Sequence, residues 1–147
     1  MEFDSADNLY LAEGTATVGL NTEGIRVYSS TGTPGFRFNK LIYITGGVGV
    51  DSSDNVYIAA ASSSRIEKFD SSGNFLMSFG SPGSGDGQFA TSTGPLRVGV
   101  DGSGNVYGAD VFGSRIVKFA SDGSYLTTFR SVFSPGFSGM YWQWQWY

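Results

Sequence analysis

The chain writes most of one segment twice. Residues 48–80 read VGVDSSDNVYIAAASSSRIEKFDSSGNFLMSFG, and residues 98–130 read VGVDGSGNVYGADVFGSRIVKFASDGSYLTTFR. A looser third copy opens the sequence, where MEFDSADNLYLAE matches the VGVD…NVY start and GIRVYSSTG matches the SRIEKFDSSG centre. Matching aspartates stand 47 positions apart from Asp4 to Asp51 and 50 apart from Asp51 to Asp101. A period of this length restricts the fold severely, because each unit covers its apolar surface with the next unit rather than by itself.

Each unit holds four short apolar runs separated by turn residues. In the second copy the pattern predicts strands at 48–50, 55–59, 65–69 and 75–79, and in the third at 98–100, 105–109, 115–119 and 125–129. The first copy gives strands at 8–12 and 25–28 and a fourth within 36–44, with a longer loop over 13–24. Asp51, Asp70 and Asp101 are placed to accept backbone N–H groups two or three residues on, and Gly73, Gly104 and Gly123 to supply positive φ. With 22 glycines, 16% aromatic residues and only 15% charged residues, the composition favours strands and turns over helices.

Four strands per unit of this length predict an all-β chain, a β-propeller of four-stranded antiparallel blades. The expected division is a single domain over 1–147, with blade 1 about 1–46, blade 2 about 47–96, blade 3 about 97–131 and a C-terminal aromatic strand about 139–147. Gly49 and Gly99, each between valines, suit the crowded innermost strand. Phe69, Phe79, Phe119 and Phe129 are expected to fill the wedges between blades, and Phe89 to anchor the Gly/Ser/Pro-rich loop over 80–96.

The strings VGVDSSDNVYIA, SRIEKFDSSGNFLMSFGSPGSGDGQF, VGVDGSGNVYGAD and SRIVKFASDGSYLTTF resemble the NHL-repeat family over residues 48–129. The first copy departs from it, with Gly24 where the family has the arginine represented by Arg65 and Arg115, and without a GDGQF element. The Trp-Asp and Gly-His dipeptides of WD40 repeats are missing. The resemblance implies a propeller. It implies little about activity, since propellers of this kind serve as RNA binders, protein-interaction platforms, sensor domains, lyases and lactonases.

Composition narrows that range. The net charge of −4 gives no positive field for a phosphate backbone, so no nucleic-acid partner is expected. With no His and no Cys, imidazole general bases, Ser/His/Asp triads, cysteine nucleophiles and histidine- or thiolate-held metals are excluded. No cofactor is expected, and no apolar run is long enough for a membrane span. The Asp51 and Asp101 turns resemble oxygen-ligand calcium loops only faintly, and their side chains read better as turn caps. Arg65 and Arg115 read as parts of blade packing because the position recurs.

Three blades do not close a ring, since propellers use about four to eight. Completion is expected from a second copy of the chain, from further sequence, or as an open filament-like stack. In the C-terminal MYWQWQWY, strand alternation puts Trp142, Trp144 and Trp146 on one face. That face fits a closing strand or a platform for sugar rings. Glu13, Arg97, Asp110 and Phe112 fall in loops that propellers gather on one binding face, and they complete the candidate contact residues.

Three functional readings follow. The first is a non-catalytic scaffold that self-assembles through exposed blade edges, outside the cell or at its surface. The second is a carbohydrate-binding module using the tryptophan ladder. The third is a metal-dependent six-bladed hydrolase or lyase assembled from two chains.

Overall fold

The computed structural model describes residues 1–13, 24–38, 47–91, 94–95 and 97–130. Three four-stranded antiparallel sheets follow one another, each a meander in chain order. The first holds β1 (Glu2–Phe3), β2 (Leu9–Glu13), β3 (Gly24–Tyr28) and β4 (Pro34–Phe38). The second holds β5 (Val48–Val50), β6 (Val56–Ala60), β7 (Arg65–Phe69) and β8 (Phe75–Phe79). A two-residue parallel pair, β9 (Ser81–Pro82) and β10 (Gln88–Phe89), lies between the second sheet and the third. The third sheet holds β11 (Arg97–Val100), β12 (Val106–Asp110), β13 (Arg115–Phe119) and β14 (Tyr125–Arg130). The only helical turn among the described residues is Ala61–Ser63.

The first hairpin of every sheet is made by the same residues. Asp51 N–H donates to the Asn55 carbonyl at 3.0 Å and Asp54 N–H to the Asp51 carbonyl at 2.9 Å, and Asp101, Asn105 and Gly104 repeat both bonds. The third turn position is left-handed in each copy, at Asp7, Asp54 and Gly104 with φ of 59°, 60° and 80°. Glycine takes this conformation without a Cβ clash, and aspartate is among the few side chains that tolerate it.

Strand alternation then gives each sheet two apolar faces. On one face of the second sheet Val56, Ile58, Ala60 and Phe69 pack with Tyr10, Ile25 and Val27 of the first. On its other face Tyr57, Ala59, Ile66 and Phe79 pack with Val98, Val106, Val117 and Phe119 of the third. All five residues of β6 are buried, as expected of a strand between two neighbours.

Phe89 is fully buried in the second of these cores, with its ring 5.8 Å from that of Phe119, so the loop is anchored as its lone aromatic predicted. Space for the ring comes from Gly108, where an added Cβ would lie 2.6 Å from Phe89 Cζ. The matching position in the second sheet is Ile58, which packs in the core shared with Tyr10, Ile25 and Val27 of the first sheet.

Three expectations need correction. The fourth strand of the first sheet is β4 at Pro34–Phe38, earlier than 36–44, because Ser29 and Thr33 close a tight turn and Pro34 already pairs with Tyr28. Asp51, Asp70 and Asp101 take their second backbone bond four residues on, from Asn55, Asn74 and Asn105, rather than three. Phe69, Phe79 and Phe119 are buried as wedges, whereas Phe129 is 52% exposed, because among the described residues no sheet lies over its face.

Candidate functional site

At one end of the sheets, the turn between β12 and β13 is held by a buried ion pair. Asp110 ends β12 and Arg115 begins β13, directly opposite in register. Arg115 Nε donates to Asp110 Oδ2 at 2.9 Å, and both side chains are almost wholly buried. The remaining guanidinium nitrogens donate to the Ser84 and Gly83 carbonyls, each at 2.7 Å. Asp110 also accepts from Ala90 N–H at 2.8 Å and Gly113 N–H at 3.0 Å. One carboxylate and one planar cation thus tie the loop after β8 to the β12–β13 turn, a use for which the bidentate fork of arginine is suited.

The other sheets lack half of this arrangement each. The second sheet has Arg65 but Ala60 in place of the acid, and Arg65 turns to Glu67 instead, at 3.0 Å from Nε and 2.6 Å from Nη2. The first has Glu13, the last residue of β2, paired with Gly24 rather than an arginine. Both arginines therefore bond a carboxylate within their own sheet, in keeping with a packing role.

Of the expected contact residues, Asp110 is inside the protein and engaged with Arg115, so it offers no surface to a partner. Phe112 stands at the tip of the same turn, 65% exposed, beside the exposed Val111. Arg97 is exposed at the start of β11, opposite Ala109, so it lies at the same end of the third sheet as Phe112. Glu13 occupies the corresponding end of the first sheet. Trp142, Trp144 and Trp146 lie outside the described residues. Ser64, Gly83, Ser84 and Ala90 escaped sequence reasoning; Ser64 Oγ donates to the Ala90 carbonyl at 2.9 Å and fastens the same loop to the second sheet.

The opposite end carries the aspartate turns. Asp101 accepts from Ser103 and Asn105 N–H, from Asn105 Nδ2 and from the Tyr107 hydroxyl. Asp4 and Asp51 are bonded in the same way by their own Asn and Tyr. The oxygens of these carboxylates are occupied by turn donors, which is the capping role. The Asn105 bonds hold the Asp101 carboxyl well below the usual carboxylate range. Burial works to raise Asp51, but the bonds from Asn55, Ser53 and Tyr57 outweigh it and the net direction is down. Burial, reinforced by the Asp4 carboxylate, pushes the Tyr10 phenol up to about 12.

These directions fix a pH dependence. The lowered carboxylates contribute their full stability above the unfolded value of 3.8 and lose it as pH falls through the lower folded values. Thermal melts from pH 6 down to about pH 2 should show Tm falling steeply below about pH 4, and Asp101→Asn should make that fall shallower.

Between the first two sheets at this end lies a cavity of about 490 Å³, lined in part by Asp4, Asn8, Tyr10, Phe36 and Asp54. Asp54 is engaged across it by Ser5, through N–H at 2.8 Å and Oγ at 2.7 Å. Among the described residues, no three His, Cys, Asp or Glu side chains gather as a metal site, and no helix is long and apolar enough to cross a membrane.

The third surface is the outer face of the third sheet. Tyr107 and Ile116 occupy the positions of Tyr57 and Ile66, which are fully buried, yet both are only half-buried. A Cβ on Gly49 would meet Val100 at 3.3 Å and the Gly99 backbone at 3.6 Å, whereas one on Gly99 would meet none of the described residues within 4 Å.

Solved structures share this arrangement. A streptogramin B lyase superposes with a TM-score of 0.65 at 14% identity, over 89% of this chain and 39% of its own. A luciferin-regenerating enzyme gives 0.62 at 16% identity over 88% and 44%, and the Dos1 propeller gives 0.61 at 13% identity over 92% and 34%. The fold is a β-propeller. At such identities the likeness establishes the fold alone, and the chain spans about two fifths of the length of these propellers. No family model matches the sequence, and no curated protein does.

Proposed function

We propose that this chain is a non-catalytic, NHL-like propeller module that works as an interaction scaffold and associates with itself through exposed blade surfaces. The observation carrying this reading is the outer face of the third blade, which repeats the tyrosine and isoleucine of two covered faces and, among the described residues, is itself left open. Phe129, on the same side of the blade as Ile116 by register, adds a large exposed ring. An apolar face bordered by polar turns marks a protein contact more often than a plain solvated surface.

The polar chemistry is consistent with this reading. The Asp4, Asp51 and Asp101 carboxylates bond their own turns, and Asp110 is neutralised in a buried pair with Arg115. Two of the similar propellers carry enzyme names, and those activities belong to them. Static light scattering across a concentration series tests the reading. The expected particle mass is a multiple of the 15.7 kDa of one chain, and a constant mass equal to one chain would count against it.

A further inference from the structure

The molecule contains two examples of how one of its blades covers the next, and together they specify what fits the open face of the third. The covering side of the second blade presents Val56 and Ile58, and that of the third presents Val106 and Val117, all fully buried. In the first blade the residues at the positions of Val56 and Ile58 are Leu9 and Leu11, which are only half-buried. Phe3, at the position of Val50, is 58% exposed. Among the described residues, therefore, the first blade carries an uncovered covering side and the third an uncovered receiving side.

We infer that the third blade of one copy receives the first blade of a second copy, head to tail, in the register that already joins the blades within one chain. This rests on the self-association reading and names its surfaces. Two details favour the pairing. Leu11 matches Ile58 rather than Gly108, so the new contact resembles that between the first two blades, where Ile58 packs with Tyr10, Ile25 and Val27. Lys68 lies over the Tyr57 ring at 5.1 Å and donates to the Ser121 carbonyl of the next blade at 3.2 Å. Lys118 lies over Tyr107 at the same 5.1 Å, poised for the Ser30 carbonyl, which holds the place of Ser121 in the first blade.

Such a contact joins two different surfaces, so it closes only when the rotation returns to its start. The described blades of two copies number six, within the range of about four to eight that forms closed propellers. The particle expected is a closed pair with two identical head-to-tail contacts.

Gly99→Arg tests this without disturbing the described core, because a Cβ there meets none of the described residues within 4 Å. Its circular dichroism and Tm measured at a dilution where wild type is monomeric should match wild type, while its mass by light scattering should fall to that of one chain. Leu11→Asp should do the same from the other surface. An equimolar mixture should recover a pair, because the intact third blade of one variant meets the intact first blade of the other. A wild type that is monomeric throughout overturns the self-association reading itself. A wild type that associates while Gly99→Arg associates equally, or a mixture that stays monomeric, overturns the head-to-tail contact alone.

Discussion

Asp110→Ala is expected to destabilise the protein by about 3–5 kcal/mol, the cost of leaving one member of a buried ion pair alone. The Arg115 guanidinium would keep its carbonyl partners at Ser84 and Gly83 but lose the carboxylate of Asp110. Ala90 and Gly113 N–H would lose their acceptor as well. A domain of this size has about 5–15 kcal/mol of total stability, so the variant should unfold at a markedly lower urea concentration. The double replacement Asp110→Ala with Arg115→Met removes both charges and should lose less than the two single variants combined. A loss of under about 1 kcal/mol in Asp110→Ala would show that the pair is not holding the two loops together.

The second large effect is expected at Phe89. Phe89→Ala should destabilise by about 3–5 kcal/mol through lost burial and a residual cavity. Gly108→Ile alone should also destabilise, by about 1–3 kcal/mol, because its Cβ would lie 2.6 Å from the Phe89 ring and 3.1 Å from Ile66 Cδ1. Combined, the two changes should be milder than Phe89→Ala by itself, since the isoleucine would fill part of the vacated space. Chemical denaturation of the three variants gives the comparison. A double variant no more stable than Phe89→Ala would mean that the ring and the glycine are not complementary.

What could be read from the sequence depended on how local the determining interaction was. The strands of the second and third blades follow from alternation and from Asp, Asn and Gly in the turns, so β7 and β8 fall on the expected residues. Phe89 was legible because a large aromatic in a polar loop has little to gain by staying in water. The fourth strand of the first blade was placed too late because its PGFRF has little in common with FLMSF and YLTTF, although the Ser29–Thr33 turn before it is the same one that Asp70–Asn74 and Ala120–Ser124 make. Asp110 was expected at the surface, as carboxylates usually are. Its burial depends on Arg115 lying opposite it across a hairpin and on Gly83 and Ser84 arriving from an earlier loop. Those contacts need register and tertiary structure. Phe129 shows the limit of repeat arguments, for it matches Phe79 in sequence and differs only in what lies over it.

The open face is also the place to test the account most directly. The chain contains no cysteine, so a single engineered thiol reports one position without background. If the blades of two copies meet as blades meet within one chain, Gly99 of one copy lies against Phe3 of the other, as Gly49 lies against Val100. Mixing Gly99→Cys protein with Phe3→Cys protein under oxidising conditions should give a disulfide-linked pair of twice 15.7 kDa, far faster than either variant forms one alone. Equal cross-linking in the separate and mixed samples, or none in any of them, would contradict the head-to-tail propeller.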